Sequence, residues 1–345
     1  MATSEATNTK TQELLEEESK KLEQLTLPKD QIMWFEYPMQ LYQGFWRLNM
    51  ISEMVPAFQT QFQALDTDII LASLPKTGTT WLKSLLFTIV NRKKFSVSVN
   101  TSISQHPIHT QNPHELVLHF EFEVYKNIHR NDQPDLTKIP IPRLFATHIP
   151  YSSVPESIKT SQCRIVYIGR NPLDNFISFW HFCLQFDECK SIKPSMEMME
   201  EYIGMYCKGV FPFGPYEDHL LGYWKESMQN PQKVLFLEYE GLKKEPKMQL
   251  KRLAEFVGFP FSEEEEKGNV IDEIIELCSL KSLKEMEVNK NGKFYPWVEN
   301  KALFRKGEVG DWANYLTPSM AKQIDEMQEK LKKDGFSFTY YQGNL

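Results

Sequence analysis

Residues 68–81 read Asp-Ile-Ile-Leu-Ala-Ser-Leu-Pro-Lys-Thr-Gly-Thr-Thr-Trp, and no other stretch narrows the possible folds as much. Asp68 to Ser73 is a short apolar run of the kind buried on both faces of a parallel sheet, and Trp81, Leu82, Leu85, Leu86, Ile89 and Val90 then recur at helical spacing. The intervening loop packs a lysine, three threonine hydroxyls and one glycine into the six residues Pro75 to Thr80. Backbone N–H groups at a helix N-terminus, hydroxyl donors and a point charge make an oxyanion cradle. A capped helix start with its lysine in solvent accounts for the same residues, and both readings stand at this level.

The pattern recurs. Arg164 to Ile168 is a second apolar run, with Asn171-Pro172 as N-cap and first residue of a helix towards Phe182. Lys233 to Tyr239 is a third, and Leu250, Leu253, Ala254 and Val257 mark the helix after it. Phe145 to Pro150 reads as a short strand that ends at the proline. Strands alternating with helices predict an α/β fold, a single domain with a central parallel sheet flanked by helices, whose ligands lie beyond the strand C-termini. With no internal repeat or low-complexity linker, residues 31–345 read as one domain. Residues 1–30, where Glu/Lys pairs alternate with leucines, read as a flexible N-terminal arm.

A formal net charge of -7 opposes nucleic acid and anionic membranes as partners, so any anion site has to be built by local placement. The five cysteines, odd in number and without a CxxC pair, argue against a disulfide framework and a zinc site and suit a reducing compartment. Met1 to Lys29 carries acids and lysines throughout, and no segment approaches 18 uncharged apolar residues, which predicts a cytoplasmic protein without a membrane anchor. No carboxylate cluster suggests a metal.

Further candidate residues lie at the other strand ends. Arg170 ends the second run and Ser178 sits two helical turns on, where the two can share a phosphate; equally, Arg170 can pair with Asp174 while Ser178 fills a helix face. Phe304-Arg305-Lys306-Gly307 places two cations before a glycine, which is either an anion site or a solvated basic pair. His148, in Phe145-Ala146-Thr147-His148-Ile149-Pro150, is either a hydrogen-bonded structural histidine or a base. Trp81 and Tyr239 read as core aromatics from the residues alone.

The loop is not a Walker A sequence, because Lys76 precedes the sole glycine. Leu74 to Trp81 resembles instead the 5'-phosphosulfate loop of the cytosolic sulfotransferases, with Leu74 in place of the usual aromatic. Arg170 to Ser178 is similar to that family's 3'-phosphate motif, and Phe304 to Trp312 to its second 3'-phosphate signature. The resemblance runs from about Tyr42 to Gly335 and implies a P-loop-like fold binding 3'-phosphoadenosine 5'-phosphosulfate (PAPS). It implies that Lys76, Thr77, Gly78, Thr79, Thr80 and Trp81 hold the 5' end and the adenine, with Tyr239 beside the base. Arg170, Ser178, Arg305, Lys306 and Gly307 would hold the 3'-phosphate. His148 would be the catalytic base and Lys76 the cation at the leaving oxygen, with no metal required.

The acceptor implied is a hydroxyl of a small apolar molecule. Asn112-Pro113-His114-Glu115 and the acidic run Glu263 to Glu266 look like the plant branch, whose members act on hydroxyjasmonate, flavonoids and brassinosteroids. Ala146 stands where many animal members have a lysine, and Ala313, Thr317-Pro318 and Lys322 stand where they have a dimerisation motif, which implies a monomer. Phe120, Phe122, Tyr125, Phe145, Phe182 and Phe211 are candidates for an acceptor pocket and equally for core. The rival readings are a P-loop nucleotide kinase and a non-catalytic small-molecule binder on the same fold.

Overall fold

Continuous apolar runs have no face to offer water, and the computed structural model accordingly buries them at the centre of a five-stranded parallel sheet. It describes residues 32–52, 54–97, 106–126 and 133–341, so the arm expected for residues 1–30 lies outside the described residues. Three antiparallel strands come first: β1 (Ile32–Trp34), β2 (Tyr37–Tyr42) and β3 (Phe45–Leu48). The parallel strands are β4 (Ile69–Ser73), β5 (Leu118–His119), β6 (Leu144–Thr147), β7 (Arg164–Gly169) and β8 (Val234–Glu238), in spatial order β5-β6-β4-β7-β8. The first of them in the chain therefore stands in the middle, between β6 and β7. That is the topological switch at which open α/β sheets bind ligands.

Side chains alternate across the sheet and supply two cores. Ile69, Leu71, Val166, Ile168, Leu235 and Leu237 face one side, and Ile70, Ala72, Phe145, Ile165 and Tyr167 face the other. The helices of more than ten residues are α1 (Thr79–Asn91), α2 (Pro172–Cys183), α3 (Met196–Cys207), α4 (Tyr216–Gln229), α5 (Pro246–Phe256) and α6 (Pro318–Lys333). Apolar residues of α1 and α5 fill the first core, and those of α2, α3, α4 and α6 fill the second. The antiparallel sheet joins the second core: Trp34 stacks on Phe179 with ring centroids 5.6 Å apart. Phe213 N–H donates to the Trp46 carbonyl at 2.7 Å, and Trp46 N–H donates to the Gly214 carbonyl at 2.9 Å.

The sequence pattern located β4, β7 and β8 to within a residue at each end, whereas β6 stops at Thr147, short of the proline, and β5 was not anticipated; the differences have local causes. Asp68 stays outside β4 because its buried carboxylate accepts two hydrogen bonds from Arg143, at 2.7 and 2.5 Å, and one from Leu65 N–H at 2.9 Å. Tyr239 is not the end of β8 but the first residue of a short helix, Tyr239–Lys244, inserted before α5. The antiparallel sheet was not anticipated, since its strands are short and only partly buried.

Arg143 and Asp68 are both buried and stand where β6 and β4 begin. Arg143→Leu leaves the carboxylate charged and unpaired, which is expected to cost about 3–5 kcal/mol in a urea unfolding curve. A loss below about 1 kcal/mol would show that the pair contributes nothing to joining these strands.

Candidate active site

Parallel register sets the ends of the strands level. Ala72 pairs with Thr147, Ser73 with Ile168 and Gly169 with Glu238, so the segments beginning at Ser73, His148, Arg170 and Tyr239 emerge side by side at one edge. The loop from β4 to α1 turns through left-handed backbone at Lys76 (φ 68°) and Gly78 (φ 112°). Asn175 Nδ2 donates to the Pro75 carbonyl at 2.7 Å, and Thr77 Oγ1 donates to the Leu74 carbonyl at 2.8 Å. Thr77 is thereby turned inward and does not line the cavity beside it, whereas Lys76, Gly78, Thr79, Thr80 and Trp81 do. A Cβ on Gly78 would lie 2.7 Å from the Tyr239 ring, and one on Gly307 would lie 2.7 Å from Leu280 and 3.4 Å from the Tyr239 hydroxyl. Two glycines from distant motifs thus make room for one aromatic ring. Trp81 meets the same ring edge-on at 5.7 Å.

Cations converge on this end. Arg170 lies over Tyr239 at 4.4 Å, donates through Nη2 to the Glu308 carbonyl at 2.7 Å, and stands 3.8 Å from Asp174. Arg170 thus pairs with Asp174 and also lines the cavity. Its Nε is buried without a partner among the described residues. Asp174 also accepts N–H bonds from Gly310 and Trp312, at 2.8 and 3.1 Å, which fastens the loop carrying Arg305, Lys306 and Gly307 to α2. Arg305 and Lys306 each contact Asp311 at 2.6 Å. Burial opposes the ionisation of Asp311, but hydrogen bonds from Lys306, Arg305 and Asn314 hold its carboxyl down at about 2. Lys76 has no such partner among the described residues. Its ammonium lies 4.0 Å over the Phe182 ring, and burial, with Arg170 and Arg305 nearby, pushes its pKa down to about 7. Like charges gathered in a low-dielectric cleft are costly unless an anion joins them, and one with several charges suits four cations best.

The cavity has a volume of about 340 Å³. Its polar end is built by these residues with Ser178, and its apolar end by Phe122, Phe179, Phe182, Phe186, Phe213 and Trp297. His148 lines it too, with Phe213 5.2 Å and Phe122 6.2 Å from its ring. Its Nδ1 is 2.6 Å from the Ser73 carbonyl, which can only accept, so Nδ1 carries the ring proton and Nε2 the lone pair. The backbone is pinned on both sides, His148 N–H donating to Glu121 at 2.5 Å and His219 Nε2 donating to the His148 carbonyl at 2.9 Å. Burial, and the charges of Lys83, His219 and Lys76, outweigh the Ser73 hydrogen bond and push the imidazole down to about 3.

The family model described as "Sulfotransferase domain" matches residues 66–335. The chain belongs to the sulfotransferase family. Cytosolic sulfotransferase 15 of Arabidopsis thaliana is 45% identical to it over 314 residues, 91% of this chain and 85% of that protein. Cytosolic sulfotransferase 5 of the same plant is 46% identical over 299 residues, 86% of this chain and 90% of that protein. Among solved structures, an Arabidopsis thaliana sulphotransferase is similar at TM-score 0.68 and 38% identity, covering 91% of this chain and 93% of its own. A mouse sulfotransferase complexed with 3'-phosphoadenosine 5'-phosphate (PAP) is similar at TM-score 0.64 and 26% identity, covering 86% and 95%. The nucleotide-kinase reading falls with this membership.

In this sulfotransferase the sequence-predicted site residues come together at one sheet edge, apart from the inward-facing Thr77 hydroxyl. Of the six pocket candidates, Phe122 and Phe182 line the cavity, while Phe120, Tyr125, Phe145 and Phe211 are core, each no more than 1% exposed. Trp34, Phe179, Phe186, Phe213 and Trp297 were missed, as were Glu121 and the buried Lys83 and His114. The Asn-Pro-His-Glu run was a signal for His114, since Asn112 and Glu115 form a capping box around it. Nothing in the helical pattern marks Lys83.

Gly78→Ala forces a Cβ into left-handed backbone and against Tyr239. A loss of about 1–3 kcal/mol in thermal or chemical unfolding is expected. A variant as stable as the wild type would refute the close packing of this loop on the ring.

Proposed function

We propose that this sulfotransferase moves a sulfuryl group from PAPS to a hydroxyl of a small apolar acceptor, with His148 as general base. The observation that carries the proposal is the Ser73–His148 hydrogen bond, which leaves Nε2 unprotonated in a cavity that also holds four cations. A base that starts neutral can take the acceptor's proton as its oxygen attacks sulfur. Lys76 then stabilises charge on the bridging oxygen as PAP leaves, and side-chain cations do the work of charge neutralisation without a metal. Thr79, Thr80 and the N-terminus of α1 hold the 5'-phosphate, with the Thr77 contribution limited to its backbone. Arg170, Ser178, Arg305, Lys306 and Gly307 take the 3'-phosphate, and Trp81 and Tyr239 flank the adenine. The PAP bound by the mouse relative supports this choice of co-substrate.

The apolar end suits a ring or chain with one hydroxyl, in the class of phenolics and flavonoids, brassinosteroids or hydroxyjasmonate-like acids. Side chains from distant segments form it, so acceptor choice follows from Phe122, Phe182, Phe213 and Trp297. We infer action as a monomer in the cytosol, from residues 313–322 and from relatives that are named cytosolic.

His148→Ala is expected to reduce kcat at least a hundredfold while leaving the dissociation constant of PAP within about threefold of wild type. Turnover near the wild-type rate would exclude the base. Because the folded-state pKa of His148 is depressed, the neutral imidazole persists on acidification, and because the bound anionic donor holds Lys76 protonated, kcat at saturating substrates should stay flat from pH 7.5 to 6. An acid limb centred near 6.5 would contradict the buried, neutral base.

Arg170→Ala and Arg305→Ala are expected to weaken PAP by tenfold or more and to change the affinity for ADP, which lacks the 3'-phosphate, much less. Equal losses for the two nucleotides would overturn the 3'-phosphate assignment.

A further inference from the structure

Behind the phosphate loop stands a buried polar group that the reading above leaves without a role. Lys83, on α1 three residues after Thr80, is fully buried, and a lysine is almost never so unless it is paired. Its Nζ is 3.1 Å from His114 Nδ1. Tyr295 Oη reaches the same nitrogen at 3.0 Å. On the other side of the ring, His114 Nε2 is 3.0 Å from Thr80 Oγ1. The ring is set by Asn112, whose Oδ1 accepts the His114 N–H at 3.0 Å and whose own N–H donates to Glu115 at 2.6 Å.

Proton bookkeeping then follows the chain outward. Burial and the neighbouring Lys83 hold the His114 pKa well below that of an ordinary histidine, so the ring is neutral and carries one proton. As an ammonium, Lys83 offers donors only, so His114 Nδ1 has to accept and its proton has to sit on Nε2. Burial lowers the Lys83 pKa to about 7 against the pull of Glu123 and Glu121, so the ammonium form that fixes this tautomer prevails below that pH, and an anion bound in the cavity favours it further. His114 Nε2–H therefore donates to Thr80 Oγ1. A threonine hydroxyl that accepts this bond is left with its own proton to give elsewhere, and the Thr80 side chain makes no other hydrogen bond among the described residues. Thr80 and His114 both line the cavity.

We propose that Lys83 and His114 form a positioning pair that turns the hydroxyl proton of Thr80 into the cavity, making it an obligate donor to the 5'-phosphate group of the nucleotide. The inference rests on the donor site proposed above. It gives a buried ammonium, costly in itself, a role at two removes from the ligand. An unsupported threonine divides its hydroxyl between donor and acceptor orientations, whereas a supported one meets an anion with its proton already aligned.

The test is a double-mutant cycle read by titration calorimetry with PAP. Thr80→Val is expected to weaken PAP about tenfold or more, and Lys83→Met about fivefold. In the Thr80→Val background Lys83→Met should change affinity less than twofold, because the effect passes through the missing hydroxyl. His114→Gln keeps an N–H at the Nε2 position and should bind within threefold of wild type, whereas His114→Phe should match Lys83→Met. That second pair also serves if Lys83→Met fails to fold. An equal loss from Lys83→Met with and without the Thr80 hydroxyl, no loss at all, or indistinguishable His114→Gln and His114→Phe would overturn the positioning pair. Wild-type protein that does not bind PAP would overturn the donor site itself, a result separable from all of these.

Discussion

Parallel pairing of β4 with β6 and β7 is the constraint from which the site follows. One strand in the middle, with later strands added on both sides, brings the loops after all of them to one edge at nearly equal height. The Ser73 carbonyl and the His148 ring meet across two neighbouring strand ends, and Arg170 reaches back to the Lys76 carbonyl at 3.5 Å. None of these contacts is local in sequence. All of them are short because the sheet places their backbones about one strand spacing apart. A slip of one residue in β6 would turn the Thr147–His148 pair over and part the imidazole from the carbonyl that sets its tautomer.

The cavity that results is electrically divided. Its cations would repel one another in isolation, and only some are matched by Asp174 and Asp311. Lys76 keeps a depressed pKa because it is buried and, secondarily, because Arg170 and Arg305 of its own sign stand nearby. This arrangement suits the anionic donor proposed above. The apolar end faces the opposite problem, an aromatic surface that water wets poorly, which suits the hydrophobic acceptor proposed above. His148 lies where the two ends meet, with Ser73 and Thr79 to one side and Phe122 and Phe213 to the other. The proposed base thus stands between the residues assigned to the donor and those assigned to the acceptor.

Much of this was legible in the sequence, and the boundary is instructive. Strand runs and the cationic motifs were visible because each is contiguous and its chemistry depends on residues a few positions apart. The inward turn of the Thr77 hydroxyl was not legible, because a motif gives no information on which of three neighbouring hydroxyls a loop turns inward; the Leu74 carbonyl decides it. The acceptor end was largely opaque. Phe120 and Phe122 are two residues apart, yet a single π-helical turn, Phe120–Val124, sends the first into the core and the second to the cavity wall. Lys83 was invisible for a related reason. Its burial depends on His114 and on the carboxylates of Glu121 and Glu123, which other elements bring to it.

The account stands most directly on one measurement: radiolabelled sulfuryl transfer from PAPS by purified protein, in the presence of a metal chelator, to a panel of hydroxylated steroids, flavonoids and fatty-acid derivatives. Label appearing on at least one apolar hydroxyl acceptor, at a rate the chelator leaves unchanged, is the result expected. Label that remains on the nucleotide across the whole panel, or transfer that stops in chelator, would contradict the claim that these cations and this histidine carry out the reaction.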